Sequence, residues 1–266
     1  MNKKFTSYDL KSIACVSMFV DHFGAIFLYE CIKLALNTNM EHSLLEFVRN
    51  NRDLMISIYD TFRLIGRIAF PIYSFLIVQG FIHTRNVLKY CLRLFLFALI
   101  SEVAFDIGFN NVLFETYSNN VFFTLGLGLI GIIIISRIEN IYHAFKDKIN
   151  KVRLNIGCFL SGLCFVFALG IFADEIFRCD YGFSGVLCII CMYIFRYNIT
   201  IGYILGVLST VLLNSNMMLI YALFGLLFVM KYDGEKGKSM KYFFNLYYPL
   251  HILILVGLCY LVGIRS

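Results

Sequence analysis

The sequence predicts an all-α integral membrane protein, a polytopic bundle of about nine membrane-spanning helices. Hydrophobic residues make up 60% of the 266 residues, and the mean hydropathy is +0.78. The apolar share of a soluble domain is only roughly 45–50%. Apolar stretches near or above the ~18 residues needed to cross a bilayer recur along the whole chain. We therefore expect a single integral membrane domain over residues 1–266, without a soluble domain beyond loops.

The predicted spans follow the apolar windows in chain order. They lie at about residues 10–29, 62–82, 87–108, 121–136, 155–173, 183–196, 199–214, 217–230 and 243–263. Spans six to eight have only about 14 residues each, which is short for a ~30 Å hydrocarbon core, so the predicted number is eight to ten. An external loop is predicted at about residues 30–61, and it contains the longest polar stretch, about 37–60, for which a surface helix is an open alternative. Cytoplasmic loops are expected at about 137–154 and 231–242.

The basic residues of the short loops predict the orientation. Lys and Arg are enriched in cytoplasmic loops of membrane proteins. Here they concentrate at the N-terminus and in loops 137–154 and 231–242, whereas acidic residues dilute them on the opposite side. The chain is therefore predicted to be N-in and C-out in the cell membrane. The net charge of +6 follows from the same distribution, so no nucleic acid partner is expected.

Two pairs of ionisable residues fall inside predicted spans, where a charge costs about 2.5–3.5 kcal/mol at mid-helix on the insertion scale. Arg63 and Arg67 are four residues apart in span 2, so a continuous helix places them on one face. Glu102 and Asp106 have the same spacing at the end of span 3. Because a loop of only about four residues joins these spans, they are predicted to be antiparallel neighbours. The two pairs are expected to meet, either as an ion-pair ladder that fixes packing or as part of a functional site.

Span 1 contains an adjacent acid and imidazole, Asp21 and His22, about 9 Å from its outer end by the helical rise. The ionisable residues of spans 2 and 3 fall at a similar depth by the same count. An acid–base pair at this depth favours a functional site over packing because burying both groups is costly. His251 follows Pro249 in span 9, and function and packing are equally open for it.

Basic residues on the predicted cytoplasmic side form a second candidate site. Arg85, Lys89 and Arg93 recur every four residues into span 3, and Lys236 lies in a basic loop between glycines. Such groups bind phosphates well. The alternative is that they only fix topology and contact lipid headgroups, which requires no ligand. The sequence has no P-loop, dinucleotide-binding, nucleophile-elbow or zinc motif, so no metal is predicted.

Short ordered blocks of sequence follow one another almost from end to end. The first are Leu10-Lys-Ser-Ile-Ala14, Met18-Phe-Val-Asp21-His22 and Arg63-Leu-Ile-Gly-Arg67-Ile-Ala-Phe-Pro71. The next are Gly80-Phe-Ile-His83-Thr84-Arg85-Asn86, Lys89-Tyr90-Cys-Leu-Arg93-Leu94, Ser101-Glu102 and Phe105-Asp106. The last are Asp180-Tyr181-Gly182, Gly234-Glu-Lys236-Gly237 and Tyr248-Pro249-Leu250-His251. Together these blocks resemble the TraX family of membrane acetyltransferases, and the first span is similar to the opening helix of broader transmembrane acyltransferases.

The resemblance implies a reaction and its partners. The activity named for the family is acetylation of the N-terminus of a conjugative pilin. In the broader acyltransferases, an intramembrane histidine serves acyl transfer from cytosolic acyl-CoA to an outer acceptor. Acetyl-CoA is therefore the implied co-substrate, and the implied partners are membrane lipids and an outer-face acceptor, which is a peptide N-terminus, a glycan or a lipid.

The expected roles follow from this resemblance and from the chemistry of the residues. Neutral His22 accepts a proton from an amine or hydroxyl as it attacks the thioester, and Asp21 orients His22 or raises its basicity. Arg67 stabilises the oxyanion. The residues expected to support the site or face the acceptor are Arg63, Glu102, Asp106, Asp180, Tyr181 and His251. Those expected to bind the phosphates of CoA are Arg85, Lys89, Arg93 and Lys236.

Two alternatives to N-terminal acetylation remain open from the sequence. The first is O-acetylation of a glycan or lipid of the cell envelope, which would use the same machinery with a different outer cleft. The second is a proton-coupled transporter, because buried Asp, His and Arg also form proton relays. The sequence has no visible inverted repeat of the kind that many transporters contain.

Overall fold

A computed structural model describes residues 4–38, 42–145 and 151–265, and these residues form helices without a β-strand among them. The first six α-helices are α1 (Ser7–His22), α2 (Tyr29–Asn37), α3 (Ser43–Asn50), α4 (Arg52–Gly66), α5 (Ala69–His83) and α6 (Val87–Phe105). The others are α7 (Val121–Phe145), α8 (Lys151–Ile171), α9 (Gly182–Ile194), α10 (Ile199–Asn214), α11 (Leu226–Val229) and α12 (Lys241–Val262). The π-helical segments are Phe23–Leu28, Asp106–Asn110 and Phe172–Ile176, and a 3₁₀-helix covers Met217–Gly225.

Four helical stretches are long and apolar enough to cross a membrane. They are Ser7–Asn37, Arg52–His83, Val121–Phe145 and Asn155–Ile176. The shorter apolar helices are Gly182–Ile194, Ile199–Asn214, Met217–Val229 and Leu246–Val262. The prediction of an all-α protein with membrane-length helices is therefore confirmed for the described residues. The number of nine spans and the N-in orientation stay predictions.

Apolar side chains on the helix surfaces match a lipid environment. On α8, for example, Phe159, Phe167 and Ile171 are 65%, 63% and 60% exposed. Contiguous apolar surface of this kind is rare on soluble monomers. In a bilayer the same side chains contact lipid tails, so their exposure to the surroundings costs little.

Most of the described residues of the predicted external loop, residues 30–61, are helical, so the helices that contain spans 1 and 2 are longer than the predicted spans. The helix that contains span 1 continues through α2 to Asn37, and the helix that contains span 2 begins at Arg52 rather than at residue 62. Between them, α3 is amphipathic, because Leu45 and Val48 are buried while its remaining face is exposed. A hydropathy window averages over both faces of such a helix and therefore assigns it to a loop.

The chain forms two compact units, and the first contains residues 1–73, 100–115 and 217–266. In this unit α1 packs against α4 and α12. Phe5, just before α1, is held by backbone hydrogen bonds: its N–H donates to the carbonyl of Lys231 at 2.8 Å, and the N–H of Asp233 donates to the carbonyl of Phe5 at 3.0 Å. Thr6 and Asp9 form a capping box that starts α1.

The second unit contains residues 74–99 and 116–216, and α9 lies at its centre. Helices α7, α8 and α10 all pack against α9. Gly202 and Gly206 allow the backbones of α9 and α10 to approach closely, because an added Cβ would lie 3.3 Å from the carbonyl oxygen of Phe195 and 3.0 Å from that of Cys188. Small residues four apart mediate helix contacts in membranes in the same way.

Candidate functional site

His22 is the last residue of α1 and is 9% exposed in the first unit. The π-helical segment Phe23–Leu28 follows it directly. A π-helical turn widens the helix locally and is frequent at functional sites. The regular hydrogen bonding of the span therefore changes at the residue for which the sequence predicts an acid–base role.

The imidazole of His251 is the hydrogen-bonding partner of His22. Nδ1 of His22 lies 2.6 Å from Nε2 of His251, which is 3% exposed. Nδ1 of His251 lies 2.7 Å from the carbonyl oxygen of Tyr247, one turn earlier in α12. The two imidazole planes are within 8° of parallel. His251, which the sequence analysis expects to support the site, is thus in direct contact with His22.

Aromatic side chains enclose the two histidines. The edges of Phe109 and Tyr248 meet the His22 ring with centroids 5.2 and 5.8 Å away, and Tyr247 stacks on His251 at 4.8 Å. Phe109 belongs to the π-helical segment Asp106–Asn110. This wall limits both the access of water and the rotation of the rings.

Arg265, which follows α12, holds the segment that carries Phe109. Its guanidinium is buried, and it donates to Oδ1 of Asn111 at 3.0 Å and to the carbonyl of Gly108 at 3.3 Å. At Gly108 an added Cβ would lie 2.5 Å from Ile252 of α12. The segment is therefore held tightly against the last helix.

Asp21 and Arg63 form an ion pair beside the histidines. Nη1 of Arg63 donates to Oδ2 of Asp21 at 2.7 Å, and the two side chains are 22% and 16% exposed. The same carboxylate oxygen lies 4.0 Å from Nε2 of His22. Gly66 on α4 makes room for this carboxylate, because an added Cβ would lie 2.1 Å from Oδ1 of Asp21. The contact of α1 with α4 therefore places the carboxylate of Asp21, whose charge is compensated by Arg63, on the Nε2 side of the His22 ring.

The ladder predicted between spans 2 and 3 has a different arrangement. The acidic partner of Arg63 is Asp21 of α1 rather than an acid of span 3. Arg67 is the C-cap of α4, and its N–H donates to the carbonyl of Leu64 at 3.2 Å, so the regular α-helix ends between Arg63 and Arg67 within the longer helical stretch Arg52–His83. The carboxylate of Asp106 accepts hydrogen bonds from the N–H of Glu115 at 2.9 Å and from Nδ2 of Asn110 at 3.3 Å. Asp106 thus stabilises the segment that follows it, from Asn110 to Glu115.

Glu102 is half-buried near the end of α6, within the first unit. Around His22 the structure places Asp21, Arg63 and His251 of the same unit.

Asp180 and Tyr181 belong to the second unit and form the turn that starts α9. The N–H of Tyr181 donates to Oδ1 of its neighbour Asp180 at 3.1 Å, and Tyr181 has a positive φ of 63°. Oδ1 of Asp174 accepts from the N–H of Phe183 at 2.7 Å. Gly182 also has a positive φ, and an added Cβ would lie 1.9 Å from that same Oδ1. The local geometry thus shows that the block Asp180-Tyr181-Gly182 forms the start of α9.

The predicted phosphate-binding residues belong to two different units: Arg85, Lys89 and Arg93 to the second and Lys236 to the first. Arg85 precedes α6, so only Lys89 and Arg93 of this group lie on a helix, and Arg93 stacks over Tyr90 with 5.4 Å to the ring centroid. Arg85 and Lys89 are exposed. Lys236 is exposed in the loop after α11, where the N–H of Ser7 donates to the carbonyl of Glu235 at 2.8 Å. These residues have the charge and the exposure that phosphate binding requires.

Two kinds of site residue were not predicted from the sequence. The first is the aromatic wall, and its only sequence signal is that Tyr247 lies four residues before His251. The second is Arg265, a basic residue after the last span whose side chain is buried. Among the described residues, no group of three or more His, Cys, Asp and Glu side chains is placed to hold a metal ion.

Apolar helices of membrane length, together with a buried cluster of two histidines, an acid and an arginine, are the features of a helical membrane protein with a polar site in its interior. The chain matches the family described as TraX protein over residues 7–259. It therefore belongs to the TraX family, as the sequence blocks predicted.

A curated relative is consistent with this assignment. The chain is 27% identical to "Probable fimbrial assembly protein FimC, serogroup H1" of Dichelobacter nodosus over 284 aligned residues. The alignment covers 96% of this chain and 96% of the relative. No solved structure matches the chain significantly.

Proposed function

We propose that this protein is a transmembrane acetyltransferase that moves an acetyl group from acetyl-CoA to the N-terminal amine of a pilin-like or fimbrial subunit. The observation that carries the proposal is the buried hydrogen bond between His22 and His251 beside the ion pair of Asp21 with Arg63. A dry acid–base group of this kind suits proton transfer. Membership of the TraX family and the name of the fimbrial relative support the choice of acceptor.

The proposed reaction needs one general base. The amine nitrogen attacks the thioester carbonyl while His22 takes the proton from that nitrogen. The C–S bond then breaks, and the thiolate of CoA leaves and receives the proton, so the products are an N-acetyl group and free CoA. Arg67 is proposed to stabilise the oxyanion of the intermediate. Arg63 has a different task, since its charge is compensated by Asp21.

The proposed topology has nine spans in the cell membrane, with the N-terminus in the cytoplasm. After replacement of the nine native cysteines, Arg178→Cys is expected to react with a membrane-impermeant thiol reagent added to intact cells. Lys236→Cys is expected to react only after the membrane is permeabilised, because its loop is strongly basic. Labelling of Lys236→Cys in intact cells would contradict the orientation.

The exposed basic residues at the start of α6 are proposed to bind the phosphates of CoA. Arg85→Glu with Lys89→Glu is expected to raise the KM for acetyl-CoA about tenfold, which corresponds to about 1.4 kcal/mol. The reason is that charge reversal replaces attraction to the diphosphate with repulsion. Steady-state kinetics at saturating acceptor would measure the change.

Arg137→Glu is the matched control for this prediction, because Arg137 is also exposed, basic and on the proposed cytoplasmic side. If the control raises KM equally, the effect is general electrostatics. If the KM for acetyl-CoA is unchanged in the double variant, Arg85 and Lys89 do not bind CoA and only fix the membrane topology.

The decisive experiment for the whole proposal is a transfer assay with radiolabelled acetyl-CoA. Membranes that contain the wild-type protein, the His22→Gln variant or no protein are incubated with the donor, and label is measured in protein, glycan and lipid fractions. We expect label in a small membrane-associated protein, in the wild-type membranes only. Label in glycan or lipid would identify O-acetylation of the envelope instead.

A proton-coupled transporter is the second candidate, because the hydrogen-bonded histidine pair also suits a proton relay. Proteoliposomes loaded with a pH-sensitive dye distinguish the two. Proton flux without acetyl-CoA, together with no label transfer, would favour the transporter.

A further inference from the structure

The carbonyl oxygen of Tyr247 determines which nitrogen of His251 carries the proton. A carbonyl oxygen can only accept a hydrogen bond, and it lies 2.7 Å from Nδ1 of His251. Nδ1 of His251 must therefore be protonated. In a neutral imidazole the other nitrogen, Nε2, is then an acceptor.

The same reasoning extends to His22. Its Nδ1 lies 2.6 Å from the acceptor nitrogen Nε2 of His251, so Nδ1 of His22 must be the donor. In the neutral pair, Nε2 of His22 consequently carries the lone pair. Nε2 is also the nitrogen that faces Oδ2 of Asp21, 4.0 Å away.

We propose that His251 is a positioning residue that holds His22 as the Nδ1–H tautomer, so that Nε2 of His22 is the atom that accepts the proton of the acceptor amine. This inference rests on the proposed function for the identity of the proton donor. The tautomer itself follows from the geometry of the two rings alone. It also assigns a purpose to Tyr247, whose backbone carbonyl starts the chain of hydrogen bonds.

The surroundings fix the rings in this arrangement. Tyr247 stacks on His251 with 19° between the planes, and Phe109 and Tyr248 lie edge-on to His22. A free imidazole prefers its Nε2–H tautomer, so the protein must enforce the other one. Second groups that fix the tautomer of a catalytic or metal-binding histidine act in the same way in other proteins.

The same geometry accommodates the transferred proton. Once Nε2 of His22 is protonated, the ring is a cation that faces the Asp21 carboxylate, and its Nδ1–H still donates to His251. Only one of the two rings can hold the extra proton, because two imidazolium ions in hydrogen-bonding contact repel strongly. The pair therefore accepts one proton per cycle and releases it to the CoA thiolate.

Nitrogen-15 NMR of histidine-labelled protein in detergent tests the tautomer without any substrate. We expect the His22 signal, identified by its loss in His22→Gln, to have the Nδ1–H pattern. His42 is an internal reference, because its Nδ1 accepts from the N–H of Leu44 and its Nε2 faces the carbonyl of Val262. His42 should therefore have the Nε2–H pattern in the same spectrum. An Nε2–H pattern for His22 in the wild type would overturn the proposal.

Two variants of His251 link the tautomer to turnover. A glutamine amide can accept from Nδ1–H of His22 at the place of the imidazole Nε2, whereas phenylalanine keeps the ring packing and removes the acceptor. We expect His251→Phe to shift His22 to the Nε2–H pattern and to lower kcat about tenfold to hundredfold, as small misplacements of catalytic groups do. His251→Gln should keep the Nδ1–H pattern and most of kcat.

The outcomes separate this inference from the proposed function. If both His251 variants keep the wild-type tautomer of His22, His251 does not position it, whatever the activity. If the tautomers behave as expected but His22→Gln keeps full turnover, the general-base role fails while the positioning stands. If His251→Phe does not fold, the wild-type spectrum alone still tests the proposal, because an Nε2–H pattern for His22 would overturn it.

Discussion

His22→Gln is expected to lower the turnover of acetyl transfer about 10²- to 10⁴-fold, because the group that takes the proton from the attacking amine is lost. The variant should still insert, fold and bind acetyl-CoA, since glutamine replaces Nε2 with a polar group of similar reach. Turnover and thermal unfolding in detergent, measured on the same purified sample, test both parts of this expectation.

A packing role for His22 predicts a different result. The loss of one hydrogen bond between helices would then lower stability by about 1 kcal/mol, and turnover would follow the folded fraction. His42→Gln is the matched control, because His42 also bonds across helices in the first unit but lies outside the site. A stable His22→Gln protein with near wild-type turnover would remove His22 from the mechanism and leave His251 as the next candidate base.

The sequence alone identifies which residues belong to this site, but it does not show which of them contact one another. Asp21 and His22 are adjacent in an apolar span, and the cost of burying them is evident from composition and depth. The proximity of His22 to His251 is not evident from the sequence, because 229 residues separate the two histidines and no periodic pattern connects spans 1 and 9. Only the packing of α1 against α12 brings them together.

The error about Arg63 has a physical cause as well. The spacing of Arg63 and Arg67 implies a shared face only in a regular α-helix, and the regular helix α4 ends at Gly66. The short loop between α5 and α6 suggested acids of span 3 as partners, but α4 packs on α1, where Asp21 is available. A glycine that permits close approach of two helices is a weak signal in a single sequence, because glycines also occur for other reasons.

Removal of either partner of the Asp21–Arg63 ion pair is expected to destabilise the protein by about 3 kcal/mol, because the remaining charge is left largely buried without its counter-charge. Removal of both, in Asp21→Asn with Arg63→Gln, should cost less than the sum of the two single changes. A double-mutant cycle of unfolding in detergent measures the coupling, which we expect at about 1–3 kcal/mol. Strict additivity would show that the pair contributes no coupling.

The turnover number kcat should also depend on the ion pair of Asp21 with Arg63. Asp21 lies 4.0 Å from Nε2 of His22, and at this distance a carboxylate stabilises an imidazolium by about 4 kcal/mol at an effective dielectric constant of about 20. Part of this attraction is offset by Arg63. Asp21→Asn leaves the cation alone beside a histidine that must become positive, so kcat should fall by more than the loss of folded protein explains. The neutral double variant should recover part of kcat.

Gly66→Ala tests this contact without a change of charge. The new methyl group would lie 2.1 Å from Oδ1 of Asp21, so the carboxylate must move and the ion pair must rearrange, at a cost of about 1–3 kcal/mol. Gly257→Ala in α12 is the matched control, because an added Cβ there meets nothing within 4 Å and a helical alanine is favoured over glycine by about 0.5–1 kcal/mol. We expect Gly66→Ala to lower both stability and kcat and Gly257→Ala to lower neither. Equal behaviour of the two alanine variants would mean that the position of the Asp21 carboxylate is not held by α4, and the electrostatic account of His22 would then lose its basis.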